Sequence, residues 1–182
     1  MKDGIRIIGI TSGPIDKTNT VVFGIIMRSG MIEGALSTRV KVNGCDGTQK
    51  ILRMISRSRF KTQIKAVALN GIAIAGLNVI DIKKLESKLG ISIFVVTRKR
   101  PRVARLVMAI KRFSAARGLE CMAQIKIIKD FSKNKPRRFG AFYVQGSSAD
   151  DIKNISQMLF EAVRTSHIIS RAAIAGESKG RI

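Results

Sequence analysis

The residues placed to do chemistry lie where short apolar runs end. The first run, Ile5–Ile10, is β-branched and stops at Thr11-Ser12-Gly13-Pro14, while Lys65–Asn70 stops at Gly71. Two-metal phosphodiester hydrolysis needs acidic oxygens converging from neighbouring strand ends and a helix start. They hold hard cations about 3.5–4 Å apart. The strand ends here read Ile10-Thr11-Ser12 and Leu69-Asn70-Gly71. Only Cys45-Asp46-Gly47, just ahead of a helical stretch, offers an acid.

Other chemistries find less support. There is no GxxxxGK[ST] loop and no GxGxxG after a strand; Gly71–Gly76 is flanked by glycines but lacks the lysine, which makes it a packing turn. His167 stands beside Ser166 without an evident acid partner, so a hydrolytic triad is poorly supported. Cys45 and Cys121 are 76 positions apart without CxxC spacing. With a single histidine, a zinc finger is excluded and a disulfide framework is not expected.

Charge is the most informative property. The chain of 182 residues carries 34 Lys+Arg against 12 Asp+Glu, a net charge of +22. Such an excess favours a polyanionic partner, with phosphate backbones ahead of anionic membrane. The charge is also unevenly placed. Residues 98–138 hold 14 Lys/Arg and two acids, Glu120 and Asp130, and residues 47–80 hold six Lys/Arg and no acid. Solvated helix faces ordinarily mix signs; these do not. The planar fork of arginine suits phosphate. The expected nucleic-acid contacts are Arg53, Arg57, Arg59, Arg98, Lys99, Arg100, Arg102, Arg105, Arg112, Arg137 and Arg138. Aromatic residues are few, so backbone contact is favoured over base-stacking platforms.

The elements that must position these residues follow from periodicity. Runs at Ile5–Ile10, Val21–Arg28 and Ala35–Val42, joined by Gly-containing turns, predict an antiparallel meander. From Thr48 the apolar spacing turns helical, with Lys50, Arg53 and Arg57 on the opposite face. Lys65–Asn70 and Ser92–Thr97 read as strands, Asp81–Leu89 as a short helix, and Pro101 as the first turn of a long one. Met122–Lys129 and Gly140–Gln145 read as two further strands. A final helix starts near Ala149 with Ile152, Ile155, Leu159 and Ala162 inward. The expectation is one domain over 1–182, a mixed α/β sheet covered by helices, with an exposed C-terminal tail at 168–182. No signal peptide and no apolar run long enough to span a bilayer are visible, so a soluble cytoplasmic chain is expected.

A resemblance covers nearly the whole chain. Gly9–Pro14, Asn43–Thr48, Leu69–Ala73, Gly76–Ile82, Val95–Pro101, Arg164–His167 and Gly176–Arg181 resemble an archaeal family, domain of unknown function ninety-nine (UPF0215-type), itself similar to endonuclease V. The block Gly71–Ile82 is the most specific. The resemblance implies a ribonuclease-H-like α/β fold. Typical members carry aspartates where this chain has Thr11, Ser12 and Asn70, and usually an acid at Asn43. Asp46 matches a carboxylate that is kept, and would be at best a weak metal ligand. The resemblance thus implies a vestigial site at Thr11, Asp46 and Asn70.

The reading is a non-catalytic protein that binds the phosphate backbone of DNA or RNA, with a ribosome-associated factor as one sub-case. It needs no cofactor. One alternative is a residual metal-dependent nuclease using Mg²⁺, with Asp46 joined by Glu33 or Asp81. The other is a subunit of a nucleoprotein complex that docks a protein through Arg171–Ile182.

Overall fold

The computed structural model describes residues 4–15, 18–146 and 149–178, leaving aside the side chains of 149–151. The chain runs β1 (Arg6–Ser12), β2 (Asn19–Arg28), β3 (Met31–Lys41), α1 (Gly47–Ser56), β4 (Ile64–Asn70), β5 (Ala73–Ile74), β6 (Asn78–Val79), α2 (Ile82–Leu89) and β7 (Ser92–Thr97). It continues through α3 (Val103–Ala115), α4 (Met122–Ser132), β8 (Arg137–Phe139), β9 (Phe142–Gly146) and α5 (Ala149–Ala175). Seven strands form one mixed sheet in the order β3-β2-β1-β4-β7-β9-β8. β1, β4 and β7 are mutually parallel, and the N-terminal three strands form the expected antiparallel meander. Ser29-Gly30, at φ 49° and 82°, closes the β2–β3 hairpin as a turn with positive φ at both central residues.

The period-two side-chain rule assigns the two sheet faces. Ile8, Ile10, Val67 and Leu69 pack with Ile51 and Ile55 of α1 and Leu85 of α2. Ile7, Ala66, Ala68 and Phe94 pack with Leu159, Ala162 and Val163 of α5. Gly9 lies on the α5 side, so close that a Cβ there would stand 2.0 Å from the Ala162 carbonyl oxygen. This approach seats α5 on the middle of β1.

Glu33 ties the opposite end of the meander together. Its carboxylate accepts from Arg6 Nε at 2.5 Å and Arg28 Nε at 2.6 Å. Partial burial pushes the carboxyl up, but hydrogen bonds and charge from Arg6 and Arg28 outweigh it and hold it below the ordinary range. A depressed pKa gives stability that is present above the unfolded value, about 4.3, and lost as pH falls through the folded value. Glu33→Gln should therefore lower the melting temperature at neutral pH, and its deficit against wild type should shrink as the buffer is taken below pH about 4. A deficit independent of pH would mean that packing, not charge, is what the substitution removes.

Several expectations need correction. Met122–Lys129 is helix α4, not a strand: Ile125, Ile128 and Phe131 are buried at helical spacing against the rest of the fold. β3 begins at Met31, four residues before the expected Ala35. Pro101 precedes α3, whose N-cap is Arg102. Gly71–Gly76 enters a small β5–β6 hairpin rather than a simple turn. The strand expected at Gly140–Gln145 is β9, and β8 arises from the end of the basic stretch before it. Residues 168–175, expected as tail, continue α5, exposed only from Arg171, and Ser170 is buried. Positions 179–182 lie outside the described residues. Among the described residues no helix is long and apolar enough to cross a membrane.

Candidate functional site

Parallel pairing places the carboxyl ends of β1 and β4 side by side, with Ile10 opposite Leu69. Thr11 and Asn70 therefore meet: Asn70 Nδ2 donates to Thr11 Oγ1 at 3.4 Å. Thr11 is buried and Asn70 half-buried. One residue on, Ser12 Oγ accepts from the backbone N–H of Ala75 at 3.2 Å. This bond anchors the β5–β6 hairpin over the end of β1.

The same hairpin is held from the α1 side. Asn43, at φ 55°, donates its N–H to Ala75 O and accepts from Leu77 N at 2.9 Å through Oδ1. Gly76, at φ 83°, must be glycine, because a Cβ would lie 2.1 Å from Asn43 Oδ1. Asn78 is fully buried and bridges three groups. It accepts from Gly47 N at 3.0 Å and donates to Lys41 O at 3.0 Å and Asp46 Oδ1 at 2.8 Å. Sequence reading missed Asn78, although it lies within the block Gly71–Ile82 that carries the most specific resemblance.

Asp46 is thus committed to its own neighbourhood. Its carboxylate accepts from Asn78 and from Lys41 N at 3.2 Å, while Asn78 satisfies the first amide of α1 in its place. The acids expected to rescue a nuclease are committed elsewhere too. Glu33 is paired with Arg6 and Arg28, where β1 starts rather than where it ends, and Asp81 caps α2 by accepting from Lys84 N at 3.0 Å. Among the described residues, no three His, Cys, Asp or Glu side chains converge on a point. A neutral hydroxyl and a neutral amide in contact with each other, beside a carboxylate bound to an asparagine, do not fit a pair of hard divalent cations.

Beside Asn70 the surface opens into two joined hollows. A cleft of about 340 Å³ is walled by Gly71, Ile72, Ala73, Val95, Val103, Leu106, Ile128 and Phe131, with Thr97 and Gln145 as polar members. It falls within the range of small-molecule sites, about 300–1,000 Å³. Gln145 is held rigidly, its Nε2 donating to Phe131 O at 3.1 Å and Asn134 O at 2.6 Å. Next to it lies a basin of about 320 Å³ lined by Arg98, Lys99, Arg100, Arg102 and Arg138, with Ala141 and Tyr143. Arg102 belongs to both walls.

The expected basic residues line more than one hollow. Arg98, Lys99, Arg100, Arg102 and Arg138 converge. Arg53 and Arg57 line a separate groove beside β3. Arg59 lies over the Phe60 ring at 5.0 Å, Arg105 and Arg112 are exposed along α3 outside the basin lining, and Arg137 is exposed on β8.

The chain matches the family model of endonuclease dU over residues 3–174. It belongs to that family. Among curated relatives, UPF0215 proteins of Methanothermobacter thermautotrophicus and Methanopyrus kandleri are 31% and 33% identical. The alignments cover 99% and 98% of this chain and 93% and 95% of the relatives. A crystal structure of a protein of unknown function from Archaeoglobus fulgidus superposes with a TM-score of 0.80 at 29% identity, covering 93% of this chain and 98% of the other. Human endonuclease V gives a TM-score of 0.56 at 12% identity, covering 94% of this chain and 85% of the other. Ciona intestinalis endonuclease V, solved with inosine-containing DNA, gives 0.56 at 9%, covering 94% and 86%. The chain thus has the ribonuclease-H-like fold of endonuclease V.

Proposed function

We propose that this member of the endonuclease dU family binds nucleic acid without cutting it. It would hold phosphates in the basin of Arg98, Lys99, Arg100, Arg102 and Arg138 and seat an unstacked base in the apolar cleft beside Asn70. The observation that carries the reading is that the two hollows share Arg102 and open next to a strand-end pair that is hydroxyl and amide rather than carboxylate. Neutral groups there remove the repulsion that acids exert on an incoming phosphate once no cation offsets them. An unstacked base finds apolar walls and a fixed Gln145; its phosphates find five cations. The family's name and the inosine-containing DNA of the Ciona complex make deoxyuridine and inosine nucleosides the first to test.

The test is binding and cleavage of deoxyuridine- and deoxyinosine-containing oligonucleotides, with Mg²⁺, Mn²⁺ or chelator present. Binding should be the same in chelator, and no product should form with either metal. Turnover that Asp46→Ala abolishes would overturn the non-catalytic assignment. In a companion titration, Thr11→Asp with Asn70→Asp should gain calorimetric Mg²⁺ or Mn²⁺ binding that the wild type lacks. Equal, negligible heats would mean these strand ends do not form a metal-site frame.

A further inference from the structure

A second cationic groove, of about 410 Å³, lies at the other edge of the sheet. Lys50, Arg53 and Arg57 of α1 and its C-cap form one wall, and Ser37 and Thr38 of β3 face them. The three cations fall at i, i+3 and i+7, on one stripe of helix. At 1.5 Å rise per residue the stripe is about 10 Å long. Phosphates on one strand of a duplex recur every 3.4 Å or so along the axis, so the stripe matches about three phosphate steps. Among the described residues none of the three joins an ion pair, and the sequence from 47 to 80 contains no acid. Their charge is directed outward: Arg53 and Arg57 are exposed and Lys50 is half-exposed.

Sheet order sets the distance to the basin. β3 is one edge strand, β8 is the other, and β7 is four strands from β3. At about 4.8 Å between neighbours, the two cationic surfaces are roughly 20–30 Å apart. Between them, beyond Lys41 at the end of β3 itself, the strand ends and the start of α1 present Thr11, Ser12, Asn43, Asp46 and Asn70, which include no cation and one anion. A single phosphate track that followed the strand ends would have to cross that gap without a partner, and on the other route the only exposed cations of α2 are Lys83, Lys84 and Lys88.

We propose that the α1–β3 groove is a second phosphate-backbone site. It takes a nucleic-acid segment separate from the one in the basin, so that one protein molecule bridges two segments. The inference rests on the basin's assignment as the first site. Its chemistry is sequence-independent contact with phosphates, since the groove offers cations and hydroxyls and no aromatic platform.

The experiment uses the whole chain and short duplexes of about ten base pairs, about 34 Å long, some carrying a donor dye and some an acceptor. Wild type should bind two duplexes per molecule and give energy transfer between them. Lys50→Glu with Arg53→Glu and Arg57→Glu should abolish the transfer and weaken the second binding event more than about tenfold. The first event should stay within about threefold. Lys83→Glu with Lys84→Glu and Lys88→Glu, exposed on α2, changes net charge equally and should preserve the transfer. Unchanged melting temperatures establish that each variant is folded.

The proposal is overturned by one duplex per wild-type molecule, or by equal losses in the two triple variants. It is also overturned if the α1 variant loses its first duplex as severely as its second, which would mean one continuous track. Failure of the basin itself reads differently: Arg100→Glu with Arg102→Glu would then leave the first duplex bound.

Discussion

Gly9→Ala should lower the melting temperature by roughly 6–12 °C. The new Cβ would lie 2.0 Å from Ala162 O, 2.2 Å from Ala162 C and 2.8 Å from Val163 N, where real Cβ atoms essentially never come closer than 3.0 Å. All three obstacles are backbone, so no side chain can swing away. β1 is paired on both sides, by β2 and β4, and cannot retreat within the sheet. The helix must lift by about 1 Å, loosening Leu159, Ala162 and Val163, each fully buried. Overpacked cores ordinarily lose about 1–3 kcal/mol. A backbone-on-backbone clash belongs at the top of that range or above it, and about 3 kcal/mol corresponds to the stated shift for a chain of this size. Gly24→Ala is the comparison, because its Cβ would meet the ends of Ile8 and Met54, at 2.7 and 3.1 Å, and these can move. Thermal unfolding followed by far-UV circular dichroism decides it. Similar, small shifts in both variants would mean that α5 does not press on β1.

The second large effect concerns binding. Arg100→Glu with Arg102→Glu should weaken affinity for single-stranded or duplex DNA by about a hundredfold or more at moderate salt. Each lost charge-assisted contact is worth roughly 1.5–3 kcal/mol when well formed, about tenfold or more in Kd. The slope of log affinity against log salt should fall by about two, one per phosphate contact. Lys153→Glu with Arg171→Glu, both exposed on α5, changes net charge by the same amount and should cost less than about threefold if the attraction is local. Equal losses in the two double variants would mean that net charge, not the basin, carries the binding.

The sequence announces the central strands plainly. β1, β2, β4 and β7 are runs rich in β-branched residues with a Gly or Pro within a few residues of their ends. α4 is the failure, and the cause is local: Ile125 and Ile127 alternate like a strand, while the face that matters is Ile125, Ile128 and Phe131. That face becomes visible only once Ile110 of α3 and Val79 of β6 are there to receive it. The grouping of Thr11 with Asn70 was legible only through the family resemblance, because nothing local in the sequence makes β1 and β4 parallel neighbours. The confinement of Asp46 was not, since its partner Asn78 comes from a hairpin of two-residue strands too short to leave a periodic trace. Charge was legible as an amount. Its division into two grooves depends on which strands end up at the sheet edges, and no local pattern encodes that.

The bond between Asn70 and Thr11 has a chemical corollary. Neither group gains or loses a proton in the range where proteins remain folded, and neither needs a counter-ion to sit beside the other. A floor made of clustered acids would rearrange when acidified or stripped of its cations. This pair carries no charge that either treatment would change, so the strand ends beside the cleft should keep their arrangement under conditions that would dismantle a hydrolytic centre built on the same strands.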